Sequence, residues 1–113
     1  MMRLSVMSFL ALLAFAESVQ AACVLPVKPQ NLPDGQVAET DDMNFSRRRV
    51  DRYVEDTDRY LKCLDGMEKT AIGTGRDNDE RRRKRIQHYN TAMQNLSTVV
   101  ATYEKSVLEF KRR

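Results

Sequence analysis

Tryptophan is absent from this 113-residue chain, histidine occurs once, glycine four times, and aromatic residues make up only 7%. Each scarcity removes a class of activity. His88 alone cannot form a histidine metal cluster, and the helical register developed below places it on an outer face, beside no carboxylate or cysteine. The four glycines form no phosphate-cradling loop, and no carboxylate pair or metal-ligand spacing is present. The two cysteines stand 40 residues apart, so there is no C-x-x-C redox motif. The chain is also too short for more than one domain. These absences predict a non-enzymatic protein with no catalytic residue, no metal, no cofactor and no small-molecule substrate.

What is present begins with an address. Met1, Met2 and Arg3 give a positive start, residues 4–16 are apolar except for Ser5 and Ser8, and Val19 and Ala21 supply small side chains at a cleavage site. That order is the layout of a secretory signal peptide over residues 1–21, cut after Ala21. The apolar run is shorter than the roughly 20 residues a membrane-spanning helix needs. Residues 1–21 hold 15 apolar residues, about a third of the total, so the 42% hydrophobic content overstates the core of the remaining chain. The expectation is an exported protein, periplasmic or secreted. Cleavage would leave Cys23 near the new terminus, but a bacterial lipoprotein signal usually places an aliphatic residue three positions before the lipidated cysteine, where Gln20 stands here.

Two cysteines in an exported chain pair most simply with each other. A Cys23–Cys63 bond would close a loop of about 40 residues and contribute roughly 4 kcal/mol. A lipidated Cys23 with a free Cys63, or an intermolecular bridge, are the competing arrangements.

Residues 22–39 hold all three prolines and the turn triplet Pro33, Asp34, Gly35, and read as an extended tether. Pro26 and Pro29 form a P-x-x-P pattern, whose recognition modules are mostly intracellular. Residues 40–113 read as two helices, about 41–70 and 78–111, joined by a connector over 71–77. Thr40 is the expected cap of the first, with Asp41 and Asp42 against the dipole. Met43, Val50, Thr57 and Leu64 form one heptad line, with Tyr53, Tyr60 and Met67 beside it and Val54 and Leu61 widening the stripe. The helix should fade between Gly66 and Gly73, with Gly73, Thr74 and Gly75 in the connector. Asp77 or Asn78 can cap the second helix, whose Ile86, Tyr89, Met93, Leu96, Val100, Tyr103, Val107 and Phe110 alternate three- and four-residue steps. That pattern predicts an all-α fold, an antiparallel two-helix hairpin in which these eight residues form the pairing seam.

From Ile86 to Tyr103 there is no Asp, Glu, Lys or Arg, although 31% of the chain is charged. Ala92 and Val99 also broaden the apolar arc beyond what two helices require. The middle of the second helix is therefore expected to be covered on two sides, by a second copy in a dimeric four-helix bundle or by an envelope protein.

Arg81, Arg82, Arg83, Lys84 and Arg85 form a basic run near the start of the second helix, and antiparallel folding brings Arg47, Arg48, Arg49 and Arg52 near Lys111, Arg112 and Arg113. Both ends are candidate contacts for an anionic surface: lipid headgroups, polysaccharide or nucleic acid. A solvated, salt-bridged helix face is the plainer account. No aromatic residue alternates with the arginines, so base stacking is unsupported. In a eukaryote, Arg82 to Arg85 would fit a proprotein-convertase site, and Asn44 and Asn95 would open glycosylation sequons.

The spacing of Cys23, Pro26, Pro29 and Pro33–Asp34–Gly35, followed by Ala38, Thr40, Met43, Val50, Tyr53, Tyr60–Leu61, Cys63–Leu64, Tyr89–Asn90, Ala92 and Phe110–Lys111, resembles small exported proteins of proteobacteria. The resemblance covers most of the chain after the leader but rests on single residues. It implies a periplasmic or secreted bacterial protein in which Cys23 and Cys63 belong together, and it implies no activity. The basic run over residues 81–85 lies outside the shared pattern. Residues and resemblance together predict an exported helical interaction or structural protein, with anion binding by the basic helix ends as the alternative.

Overall fold

The computed structural model describes residues 23–113, so the leader expected over residues 1–21 lies outside the described residues. Two helices of 34 residues each, α1 (Thr40–Gly73) and α2 (Asp79–Arg112), pack against each other as an antiparallel hairpin. The fold is all-α, and the described residues contain no strand.

α1 starts one residue earlier than Thr40 suggests as a cap. Asp42 reaches back and accepts the Glu39 backbone N–H at 3.2 Å, which makes Glu39 the cap and Thr40 the first helical residue. Its other end also runs further than residue 70. Gly66 meets no tertiary neighbour and does not break the helix; the stop comes at Gly75, whose φ of 68° turns the chain. The Arg76 N–H then reaches back to the Ala71 carbonyl at 2.9 Å, and Thr74 closes the last turn on Thr70. α2 is capped by Asn78, whose side chain accepts the Arg81 N–H at 2.9 Å. Asp79 and Glu80 in its first turn and Lys111 and Arg112 in its last complement the helix dipole.

α1 buries Met43, Ser46, Val50, Tyr53, Thr57, Tyr60 and Leu64, a seam of unbroken three- and four-residue steps. α2 answers with small residues: Ala92, Val99 and Ser106, seven apart, are its buried positions. Tyr60 and Leu64 close over Ala92, and Val50 and Tyr53 pack with Val99. The bulk on α1 leaves room only for short side chains on the facing line of α2.

The pairing seam expected on α2 is therefore rotated by about one residue. Leu96 and Tyr103 do pack against the core cluster, and Val100, Val107 and Phe110 are half-buried. Ile86, Tyr89 and Met93, however, remain 52%, 42% and 41% exposed. The line Ile86, Met93, Val100, Val107 lies beside the hairpin contact, and the line Ala92, Val99, Ser106 lies in it.

The proline-rich segment is also more than a tether. Residues 23–38 run back along the hairpin as a strap, antiparallel to α1, from Cys63 to the start of that helix. Leu32 inserts against the Val50, Tyr53 and Val99 cluster. Arg49 donates to the Gln30 carbonyl at 2.6 Å, and the Ser106 hydroxyl donates to the Pro33 carbonyl. Asp34 then organises a turn, accepting the Gln36 N–H on its side chain and the Ala38 N–H on its carbonyl. The turn lies directly on α2: a Cβ on Gly35 would fall 1.8 Å from the Ser106 carbonyl oxygen. Glycine is required there by close approach.

Candidate functional site

Cys23 and Cys63 form an intramolecular disulfide with a Cα–Cα distance of 5.7 Å, and no free cysteine remains among the described residues. The bond fixes the far end of the strap to α1, beside the exposed Met67.

The basic run is largely engaged by its own surroundings. Arg81 donates to the Arg76 carbonyl at 2.9 Å, and Lys84 pairs with Glu80 at 3.3 Å. Arg85 and Arg82 converge on Asp77 at 2.8 and 3.8 Å. Among the described residues Arg83 alone of the five has no such partner. Arg85 is not a surface cation: it stands one heptad before Ala92 on the hairpin line, and its side chain and that of Asp77 are 12% and 9% exposed. The hydrogen bond from Arg85, reinforced by both guanidinium charges, holds the Asp77 carboxyl below its ordinary value of 3.8. This pair clasps the interhelical connector: the acidic residues before the basic run point to a charge offset at Asp77, and the structure adds that the pair is buried. The signal for that burial was available in the seven-residue step from Arg85 to Ala92.

The opposite pole behaves similarly. Arg47 lies 3.9 Å from Asp51. Arg48 and Arg49 approach the Phe45 ring, and Arg113 stacks over Phe110 while donating to the Gln36 carbonyl. His88 is exposed. Among the described residues no group of three or more His, Cys, Asp or Glu side chains is placed to hold a metal ion, and no helix is long and apolar enough to cross a membrane.

What remains is a surface with two unlike sides. On one, the strap runs along the groove between the helices, bonded to Cys63 of α1 and to Ser106 of α2 and lining shared clefts with Asp56 and Tyr60 of α1 and Thr98 and Thr102 of α2. Part of the charge-free stretch of α2 is thus covered by the chain's own N-terminal segment. On the other side no strap residue takes part. Grooves there are lined near the connector by Leu64, Asp65, Glu68, Ile86 and Tyr89 together with Arg82 and Arg85, and near the chain's C-terminal end by residues that include Met43, Arg47, Tyr103, Val107 and Phe110. Between these two ends, helical periodicity places Val54 and Leu61 of α1 and Met93 and Val100 of α2 on the same side. On this side Val54, Ile86 and Met93 are exposed, flanked by the half-buried Val100 and Val107 and by Leu61, which also packs against the Tyr60, Leu64 and Ala92 cluster. This strap-free face is the candidate functional site. Comparisons with protein-family models, with curated proteins and with solved structures find no match for the chain.

Proposed function

We propose that the protein is an exported, non-catalytic interaction protein of the bacterial envelope that binds through its strap-free face. The observation that carries this reading is the stripe Ile86, Met93, Val100 and Val107 beside Val54 and Leu61: a heptad line of large apolar residues at the edge of the hairpin contact, on the side the strap leaves open, with Val54, Ile86 and Met93 exposed. Such a line is what a helix carries when it packs against a further helical neighbour. The leader pattern in residues 1–21 supports export, and an internal disulfide suits an oxidising compartment. The alternative, anion binding by the basic run, is less well supported, because Arg85 is buried against Asp77 and Arg81, Arg82 and Lys84 have partners of their own.

In-cell crosslinking from a photoreactive amino acid tests the proposal. Placed at Met93 it is expected to yield a discrete adduct in the exported fraction; placed at Gln94, about 100° round the helix, it is expected to yield little. Equal adducts from both positions, or none from Met93, would contradict the reading. Salt-sensitive recovery on anionic vesicles, lost when residues 81–85 are made Gln, would favour the alternative.

A further inference from the structure

Resting on that reading, we infer that the partner of the strap-free face is a second copy of the chain, docked antiparallel about a two-fold axis perpendicular to the helices. The outward lines of both helices are self-complementary when read backwards. On α1 the line runs Arg47, Val54, Leu61, Glu68; reversal sets Arg47 against Glu68 and Val54 against Leu61 of the other copy. On α2 it runs Ile86, Met93, Val100, Val107; reversal sets Ile86 against Val107 and Met93 against Val100. The ends of both lines are fixed by the grooves they line, Glu68 and Ile86 near the connector, Arg47 and Val107 at the opposite pole.

One axis serves both helices. The α1 line is centred between Thr57 and Asp58, and the α2 line between Leu96 and Ser97. Within the hairpin, Tyr53 packs beside Val99 and Leu96, and Tyr60 beside Ala92. These contacts set the α1 centre opposite residues 94–95 of α2, so the two centres lie about 3 Å apart along the molecule, and a single rotation still brings α1 against α1 and α2 against α2. An isologous interface requires this property, and an unrelated partner would not.

The area and one charge pair agree, while Asp51, Asp58 and Asp65 stand at the outer edge of the same side of α1. Among the described residues Glu68 has no ion-pair partner, and Arg47 has only a long, exposed contact at 3.9 Å with Asp51. Each line spans 21 residues, about 32 Å of helix, and two helices side by side are about 20 Å wide, which covers roughly 1,300 Å² over both copies, within the range of stable interfaces. The straps and disulfides remain on the outer surfaces of the resulting four-helix bundle.

The test is the solution mass of the full chain, expressed from its first residue and purified with the disulfide intact, by sedimentation at micromolar concentration. Twice the mass of one chain is expected. Met93→Glu should halve it with helicity retained, whereas Gln94→Glu should leave it unchanged. Arg47→Glu alone should weaken association roughly tenfold, because the axis repeats the pair twice, and Glu68→Lys alone should do the same. The double variant Arg47→Glu, Glu68→Lys should restore it. A single-chain mass for the unaltered protein overturns the inference, as does a dimer indifferent to Met93→Glu or a double variant weaker than either single one. A single-chain mass combined with a Met93 adduct of some other size in cells would sink the second copy and leave the interaction reading standing.

Discussion

Thr57 occupies the middle of the α1 seam at 1% exposure, and its hydroxyl approaches the Tyr53 side chain one turn away without completing a well-formed hydrogen bond. A buried, unpaired hydroxyl costs about 1–3 kcal/mol. Thr57→Val keeps the shape and removes the polar atom, so chemical denaturation should show a stabilised protein; a destabilised one would mean that the hydroxyl is satisfied. Asp77 presents the opposite case. Its carboxyl is held below 3.8 in the folded state by Arg85 and Arg82, so its contribution to stability is full above that value and is lost as pH falls through the lower, folded-state value. Asp77→Asn should lower stability at neutral pH and flatten the acid limb of the stability profile. An unchanged acid limb would remove Asp77 as its cause.

At the scale of elements, glycines separate helix from turn. Gly66 lies inside α1 with open space where a Cβ would go, so Gly66→Ala should stabilise by about 0.5–1 kcal/mol in a thermal melt. Gly75→Ala should destabilise by about 1–2 kcal/mol, because its φ of 68° disfavours a side chain. Much of this architecture was legible in the residues. The α1 seam follows from its periodicity, except at Met67 and Val54, which the stripe includes but the fold leaves exposed, and at Ser46, where a small polar residue fills a core slot that a count of apolar residues passes over. On α2 the same count tracked the largest side chains, whereas the hairpin packs the smallest, since Tyr53, Tyr60 and Leu64 already occupy the space between the helices. The strap was illegible for a different reason. An extended segment buries residues such as Leu32 and Gly35 without periodicity, and its prolines describe local stiffness but not what the segment lies on. The disulfide that secures it contributes about 4 kcal/mol by loop closure. Cys63→Ser should therefore lower stability by a similar amount and admit protease to residues 23–29, where Val24 and Val27 are among the most exposed side chains; resistance in that segment would show that packing alone holds it.

At the scale of the whole molecule, the hairpin has one side closed by its own N-terminal segment and one side left apolar and open. The charge-free middle of α2 belongs to both, meeting the strap through Thr98 and Thr102 and facing outward through Met93 and Val100. Anion binding would ask the poles of the molecule to be free, and most of their arginines are already committed to Asp77, Phe45, Phe110 or backbone carbonyls. The account stands on the open side being occupied in the native protein. Met93 and Met67 test this within one molecule, since they are 41% and 47% exposed in the single chain but lie on opposite sides of it. Mild peroxide treatment of the native protein, read residue by residue as methionine sulfoxide, measures their accessibility directly. The account predicts that Met93 is oxidised severalfold more slowly than Met67 and that unfolding abolishes the difference; equal rates in the native protein would contradict it.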